Sequence, residues 1–170
     1  MKILVVGGAG YIGSHFVLEA SKKGNKITVF DDLSSGFRSN LDDNISFYKG
    51  STLSKKDLDS VMLSDNFDAV VHLAAYKAAG ESMLNPGKYA SNNIIGGLNL
   101  IDSCFKNNIK NIIFSSSAAV YGTPQYTPID ELHPLIPINY YGYSKLIIEQ
   151  NLKWYSKLKG IRYASLRYFN

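Results

Sequence analysis

The chain has 170 residues, about the length of one domain, and its 45% hydrophobic and 19% charged residues are typical of a soluble globular protein. The net charge of +4 is mild and the basic residues are scattered, so we expect no nucleic-acid partner. The single cysteine excludes an internal disulfide, and no apolar run approaches the roughly 18 residues of a membrane span or forms a signal peptide. We therefore expect a cytoplasmic protein with no membrane partner and no metal site.

Short apolar runs predict β-strands, and the amphipathic stretches between them predict helices. The strands are predicted at 3–6, 27–30, 45–48, 69–73, 111–115 and 163–166, and the helices at about 14–23, 54–65, 81–107 and 140–159. Strands that alternate with helices form a parallel sheet covered on both faces, because the connections are right-handed crossovers. We predict an α/β fold, a doubly wound parallel sheet (Rossmann fold). The long irregular segment 123–138 is expected to lie over the carboxyl ends of the strands, where ligands bind.

Glycines follow the first predicted strand at a spacing of three residues, at Gly7, Gly10 and Gly13. In this context Gly7 permits a tight turn, Gly10 lets backbone N–H groups approach a pyrophosphate, and Gly13 lets the helix pack close to the strand. The start of the next helix faces the phosphates with unpaired N–H groups and the positive end of its dipole. The strand before these glycines and the helix after them distinguish the motif from a surface turn. The motif therefore predicts a dinucleotide site.

An acidic residue, Asp31, ends the second predicted strand. A carboxylate at this position accepts hydrogen bonds from a ribose 2′-hydroxyl and repels a 2′-phosphate, so NAD is favoured over NADP. The alternative interpretation is a turn-forming aspartate, because Ser34-Ser35-Gly36 follows. The glycine turn upstream favours the nucleotide interpretation.

The fifth predicted strand runs into a serine cluster that ends at Ser117, and Tyr141 and Lys145 follow four residues apart at the start of a helix. This spacing places the tyrosine and the lysine on one helix face. A nearby ammonium favours the phenolate and is expected to lower the tyrosine pKa from about 10. Such a phenolate is a suitable general base for a sugar or alcohol hydroxyl, and Ser117 is placed to hold the same oxygen.

The Tyr-x-x-x-Lys pattern occurs a second time, at Tyr155 and Lys159. That pair lies late in the helix, away from the strand ends, and is interpreted as a surface contact. Tyr140 and Tyr143 flank Tyr141, but neither has a lysine four residues later. Tyr141 is therefore the predicted base.

The glycine turn, the acid after the second strand and the Ser117–Tyr141–Lys145 set together resemble the extended short-chain dehydrogenase/reductase family. The resemblance narrows to the UDP-glucose 4-epimerases of that family through motifs spread over the whole chain. These motifs are Gly-Gly-Ala-Gly-Tyr-Ile-Gly-Ser-His (7–15), His-Leu-Ala-Ala-Tyr-Lys-Ala (72–78), Gly-Glu-Ser (80–82), Asn-Asn (92–93), Phe-Ser-Ser-Ser-Ala (114–118) and Arg-Tyr-Phe-Asn (167–170).

The resemblance implies NAD-dependent epimerisation at carbon 4 of UDP-glucose or UDP-galactose, in galactose metabolism. Tyr141 would take the proton of the 4′-hydroxyl while hydride passes to NAD, and the 4-keto sugar would turn over and receive the hydride on its other face. The implied NAD contacts are Gly7, Gly10, Tyr11, Ile12, Gly13, Asp31, Asp32, Leu33, Ser34, Ser35, Gly36, Ser51, Thr52, Leu73, Ala74, Ala75, Lys77, Asn92, Ser115, Tyr141, Lys145 and Phe169. The implied UDP-sugar contacts are Lys77, Ser117, Tyr141 and Asn170.

Two alternative functions stay open at this point. Relatives on this fold dehydrate or decarboxylate nucleotide sugars, but a dehydratase needs an acid and a base beside the serine, where this chain has Ala118 and Ala119. A non-catalytic NAD-binding module is the other alternative, and it has no need of the serine, tyrosine and lysine.

The chain departs from the family pattern in two places. After the third strand it has Gly50-Ser51-Thr52, where the family usually has an acid that holds the adenine amino group, so weaker NAD binding is expected. It ends at Asn170, where the family continues for about as long again. We therefore expect residues 1–170 to be the NAD-binding domain without the substrate-binding domain, and to be inactive alone. Apolar faces on 81–107 and 140–159 predict a homodimer through these helices.

Overall fold

The computed structural model describes residues 1–169, and it contains one six-stranded parallel sheet in the order β3-β2-β1-β4-β5-β6. The strands are β1 (Lys2–Val6), β2 (Lys26–Asp31), β3 (Ser46–Lys49), β4 (Ala69–His72), β5 (Asn111–Ser117) and β6 (Arg162–Tyr168). All six predicted strands are present, and the predicted fold class is confirmed. The central strands are buried on both faces because helices cover both sides of the sheet, which explains their unbroken apolar sequence.

Helices on the two faces of the sheet bury two apolar clusters. They are α1 (Tyr11–Lys22), α2 (Lys55–Met62), α3 (Ala79–Leu84), α4 (Pro86–Tyr89), α5 (Gly96–Lys106) and α6 (Tyr140–Lys159), with 3₁₀ turns at Arg38–Asn40 and Ala118–Val120. One cluster joins β1 and β2 to α1 through Val5, Val29 and Val17. The larger one packs α2, α5 and α6 on the other face and contains Cys104, which is fully buried.

The prediction of one continuous helix over 81–107 is wrong. The region is divided into α3, α4, a π-helical stretch at Ala90–Ile95 and α5. The first break falls at Asn85, because the following Pro86 has no N–H to continue a helix and takes the first position of a new one. The π-helical stretch contains Asn92 and Asn93, and such stretches are frequent at functional sites.

The order of the strands fixes where a ligand can bind. Chain connections run from β1 outward to β3 on one side and from β4 outward to β6 on the other, so the direction reverses between β1 and β4. Two neighbouring loops separate at such a point and leave a crevice at the carboxyl edge of the sheet. Within residues 1–169, no helix is long and apolar enough to cross a bilayer, and no cluster of acidic, histidine or cysteine side chains is arranged to hold a metal ion.

Candidate active site

A cleft of about 320 Å³ lies at the carboxyl ends of β1, β2 and β4, where the strand order reverses. Most of the predicted NAD contacts line it: Gly7, Gly10, Tyr11, Ile12, Gly13, Asp31, Asp32, Ser34, Ser35, Thr52, Leu73, Ala74, Ala75, Lys77, Asn92 and Ser115. Leu33, Gly36 and Ser51 do not line it. The cleft is therefore built by residues from six separate stretches of the sequence.

The glycine turn has the geometry that a dinucleotide needs. Gly7 has a φ of +83°, and a Cβ added there would lie 2.4 Å from the backbone nitrogen of Ala74. At Gly13 an added Cβ would lie 2.2 Å from the carbonyl oxygen of Gly7, so α1 packs directly against the turn. At Gly10 an added Cβ would meet only that same oxygen, at 3.5 Å, and would otherwise occupy the cleft. The space in front of the α1 N-terminus thus fits a pyrophosphate.

Asp31 is buried and holds the glycine turn as well as lining the cleft. One of its carboxylate oxygens accepts the N–H of Ala9 at 3.0 Å, and the other accepts the N–H of Leu33 at 2.9 Å. Leu33 adopts a left-handed backbone with a φ of 62°, which the second hydrogen bond supports. Each carboxylate oxygen keeps a further lone pair for a ribose hydroxyl. The exposed Asp32 beside it adds a second negative charge at the same rim.

Ser51 does not face the cleft, because its polar groups are used locally. Its hydroxyl accepts the N–H of Leu53 at 3.2 Å, and its own N–H donates to the Asp57 carboxylate at 3.1 Å. Its neighbours Gly50 and Thr52 line the cleft instead. Sequence reasoning did not assign to the cleft some other residues that line it: Val6, Phe30, Gly50, Tyr76, Ala78, Glu81 and Tyr89. Of these, Tyr76, Ala78 and Glu81 lie within the motifs that carry the resemblance.

A second cleft of about 370 Å³ adjoins the first and contains the three predicted catalytic residues, Ser117, Tyr141 and Lys145. Both clefts are lined by Ile12, Leu73, Ala75, Lys77 and Ser115, so they are continuous. The second cleft is also lined by Ser116, Ala118, Ala119, Tyr168 and Phe169. Asn170, the remaining predicted substrate contact, lies outside the described residues. No residue of the segment 123–138 lines either cleft.

Lys145 is held beside the reactive tyrosine by the end of β5. Its ammonium donates to the carbonyl oxygen of Ser115 at 2.7 Å and lies 5.8 Å from the centre of the Tyr141 ring. The side chain is 3% exposed, and burial lowers its pKa to about 7. The same burial lowers the pKa of His72, one strand away, to about 3, and the nearby Lys145 contributes in the same direction.

The pKa of Tyr141 departs from the predicted direction. Burial raises it above the usual value, and the neighbouring Ser117 hydroxyl has a smaller opposite effect. The ammonium of Lys145 faces the Ser115 carbonyl, and its own protonation is disfavoured by burial. In the chain without nucleotide, burial therefore outweighs the lowering of the tyrosine pKa that the lysine was expected to cause. A further positive charge in the cleft would favour the phenolate.

The other tyrosines considered in the sequence lie outside the second cleft. Tyr140 and Tyr143 pack against each other with ring centres 5.5 Å apart. Tyr155 is half-buried against the main apolar cluster, two turns or more along α6 from the cleft. Tyr141 is thus the tyrosine that the fold brings beside Ser117 and Lys145.

Comparison with known proteins places this geometry in a family. Residues 3–170 match the model of the NAD dependent epimerase/dehydratase family. The chain belongs to that family. The family predicted from the motifs is confirmed, and NAD is the cofactor of its members, as the sequence predicted.

Proteins similar to this chain include epimerases about twice its length. The UDP-glucose 4-epimerase of Lactobacillus helveticus is 45% identical over 170 residues, which are all of this chain and 52% of that protein. The crystal structure of UDP-glucose 4-epimerase from Brucella ovis in complex with NAD is 43% identical, with a TM-score of 0.97 over 99% of this chain and 52% of that one. The UDP-Glc/GlcNAc 4-epimerase of Campylobacter jejuni is 40% identical, with a TM-score of 0.96 over 99% of this chain and 53% of that one. The chain therefore spans about half the length of these relatives.

Proposed function

We propose that this chain binds NAD in the first cleft and serves the epimerisation of a UDP-hexose at carbon 4, as a part of a longer catalytic unit. The observation that carries the proposal is the meeting of Ser117, Tyr141 and Lys145 in a second cleft that is continuous with the first. The names of the relatives at 41–45% identity give the reaction and the substrate class.

The first cleft fits NAD better than NADP. The glycine turn leaves room for a pyrophosphate at the α1 N-terminus, and the carboxylates of Asp31 and Asp32 lie at the rim where the ribose would sit. A 2′-phosphate there would meet two negative charges, whereas a 2′-hydroxyl donates to one of them. When bound, oxidised NAD supplies a hydride acceptor and a positive charge beside the phenol of Tyr141.

Tyr141 is the proposed general base. Its phenolate oxygen takes the proton of the sugar 4′-hydroxyl as the hydride leaves carbon 4, and it returns that proton when the hydride comes back on the other face of the 4-keto sugar. Ser117 hydrogen-bonds the reacting oxygen and fixes its distance. Lys145 favours the phenolate electrostatically whenever its amine is protonated.

Epimerisation is favoured over dehydration by the chemistry of the second cleft. A 4,6-dehydratase needs an acid and a base next to the serine, and the cleft has Ala118 and Ala119 there. Methyl groups neither donate nor accept a proton, so the sugar 6-hydroxyl has no acid to expel it. A dehydratase or decarboxylase of the same family, or a non-catalytic NAD-binding module, is the runner-up.

We also propose that the complete unit acts in the cytoplasm, in galactose metabolism, as a homodimer. Only those apolar side chains on 81–107 and 140–159 that stay exposed in this chain are available for a dimer contact. Ile101, Leu146 and Leu152 are buried within this chain. The exposed large apolar side chains on the two helical regions are Met83, Leu84, Ile95, Tyr143, Trp154 and Leu158. The contacts of the UDP-sugar beyond Lys77, Ser117 and Tyr141, and activity itself, are proposed to need a second half. Residues 1–170 alone are proposed to be inactive.

Replacing Tyr141 by phenylalanine tests the function. In the full-length protein, Tyr141→Phe is expected to keep its NAD and to lose about 100-fold to 10,000-fold of the interconversion of UDP-glucose and UDP-galactose, since general base catalysis supplies about that much. The control is Tyr155→Phe, which removes the same hydroxyl from the same helix outside the cleft and is expected to retain full activity. Full activity in Tyr141→Phe, or equal losses in both variants, would refute the proposed base.

A further inference from the structure

The backbone of Tyr141 is bound on both sides by serine hydroxyls. Its N–H lies in the first turn of α6, where N–H groups have no partner within the helix. The N-cap side chain of Asn139 accepts the N–H of Gly142 at 2.8 Å, so Tyr141 must find another acceptor. It donates to the hydroxyl oxygen of Ser82, on α3, at 3.0 Å. Its carbonyl oxygen accepts the hydroxyl of Ser144 at 2.7 Å.

Ser82 has no freedom to turn away from this contact. It is 0% exposed, and its own hydroxyl proton is donated to the carbonyl oxygen of Ala79 at 2.6 Å. The oxygen can therefore only accept, and the N–H of Tyr141 is what it accepts. The position of the α6 first turn is thus set by α3, a helix that also contributes Glu81 to the first cleft.

The second hydroxyl is connected to the first cleft by a buried amide. Asn93 donates to the Ser144 oxygen at 3.2 Å and to the Tyr76 carbonyl at 2.9 Å, which uses both of its amide hydrogens. Its amide oxygen accepts the Tyr76 N–H at 2.9 Å. The chain from Tyr76 through Asn93 and Ser144 to Tyr141 therefore has a donor and an acceptor at every step.

Two neighbouring asparagines in the π-helical stretch have different surroundings. Asn92 lines the first cleft, whereas Asn93 is 4% exposed and points into the hydrogen-bonded chain just described. Asn92 also donates to the amide oxygen of Asn93 at 3.1 Å. Hydrogen bonds from Asn92 to Asn93, from Asn93 to Ser144 and from Ser144 to Tyr141 therefore connect the wall of the first cleft to the reactive tyrosine.

We infer that Ser82 and Ser144 are positioning residues for Tyr141, holding its phenol in reach of a substrate hydroxyl by fixing both ends of its backbone. This inference rests on the proposed function. Neither side chain touches the second cleft, so both act through Tyr141. Displacement of a catalytic group by about 1 Å costs up to roughly 100-fold in rate, which sets the size of effect to expect.

The principal test is Ser82→Ala, with Ser103→Ala as its matched control. Ser103 lies on α5, is equally buried, and its hydroxyl has no hydrogen-bond partner within the described residues. In the full-length protein we expect Ser82→Ala to keep its bound NAD, to change KM less than about twofold, and to lose about 10-fold to 100-fold in kcat. Ser103→Ala is expected to match the parent in all three quantities. Equal kcat values for the two variants would overturn the inference.

A double-mutant cycle separates positioning from a general loss of structure. If Ser82 acts through the phenol of Tyr141, Ser82→Ala is expected to cause no further loss of the residual rate once Tyr141→Phe has removed the hydroxyl. The same fold loss in both backgrounds would mean a structural role only. Tyrosinate absorbance of the nucleotide-free protein, with the Tyr141→Phe spectrum subtracted, gives a readout independent of activity. The ionisation of Tyr141 is expected to shift in Ser82→Ala and not in Ser103→Ala.

Ser144→Ala provides a second variant in case Ser82→Ala does not fold. It removes the hydroxyl that binds the Tyr141 carbonyl and accepts from Asn93, while alanine is a better helix former than serine. It is expected to show the same loss of kcat at unchanged NAD content, and parental kcat would overturn the inference. Full activity of Tyr141→Phe would refute the proposed function. Parental kcat in Ser82→Ala and Ser144→Ala, with Tyr141→Phe inactive, would refute only the positioning role, so the two failures can be told apart.

Discussion

Glu149 on α6 and Arg167 on β6 form a buried ion pair next to the reactive residues. Arg167 donates to the two carboxylate oxygens at 3.0 Å and 2.7 Å, and its third nitrogen donates to the Tyr121 hydroxyl at 2.9 Å. The hydroxyl of Ser116 donates to the same carboxylate. This bond fixes Ser116, the neighbour of Ser117 on β5, against α6. The pair therefore sets the ends of β5 and β6 at the site.

Removing one partner of this pair is expected to be costly. Glu149→Ala leaves the Arg167 charge, only 20% exposed in its side chain, without a carboxylate, and buried pairs broken in this way lose about 3–5 kcal/mol. The exposed pair between Asp102 and Lys106, also 2.7 Å long, is the control. Asp102→Ala is expected to cost less than about 1 kcal/mol. Urea unfolding measures both values, and similar losses would contradict a role for burial.

Gly13 is predicted to tolerate no side chain. In Gly13→Ala the new methyl group would overlap the Gly7 carbonyl and force α1 away from the turn, at a cost of about 1–3 kcal/mol. NAD binding, measured by calorimetry on nucleotide-free full-length protein, is expected to weaken by at least about tenfold, which is about 1.4 kcal/mol. Gly80→Ala, another helical glycine whose added Cβ meets nothing within 4 Å, is expected to bind NAD like the parent. If Gly13→Ala bound NAD as tightly as the parent protein, the predicted need for α1 to pack closely against the glycine turn would be contradicted.

Lys145 is predicted to make stability depend on pH. Its pKa is about 7 in the folded chain and 10.5 in ordinary surroundings. Between these values the unfolded chain binds a proton that the folded chain has released, so the free energy of unfolding rises as pH increases from about 7 to about 10.5. Below about pH 7 both forms are protonated and this contribution stays constant.

The variant Lys145→Met is expected to flatten that part of the stability curve. Urea unfolding of the nucleotide-free protein at pH 7, 8, 9 and 10 would measure it. Lys153→Met, which removes an exposed lysine from the same helix, is the control and should leave the slope unchanged. Parallel curves for Lys145→Met and the parent would show that Lys145 titrates normally in the folded chain.

The predicted homodimer depends on a few exposed apolar side chains. Trp154 is 57% exposed on α6, and Leu158 follows it one turn later at 66% exposed. Trp154→Glu would place a charge in the proposed contact and is expected to convert the dimer into monomers in sedimentation velocity at micromolar concentration. Leu63→Glu, at a 79% exposed position after α2, should leave the dimer intact. A monomeric parent protein would contradict the prediction.

Much of the fold follows from local sequence. The short Val- and Ile-rich runs are strands because they can be buried on both faces, and the order strand, glycine turn, helix fixes a crevice at the first strand. The motifs also select Tyr141 over Tyr155, because only the former follows a strand end and opens a helix. Each of these features depends on neighbours in the chain, which the sequence displays directly.

The remaining features depend on residues far apart in sequence that meet only in the folded chain. Ser82 and Tyr141 are 59 residues apart, and nothing local predicts their hydrogen bond. The direction of the Tyr141 pKa shift was mispredicted because spacing alone places Lys145 on the right face, while burial and the Ser115 carbonyl decide where its charge points. The hydrogen bond of the Ser51 hydroxyl within its own turn is likewise visible only in the structure. The sequence by itself determined which chemical groups are present and in what order. The tertiary structure decided which of them are buried, which are hydrogen-bonded or ion-paired, and which face the cleft.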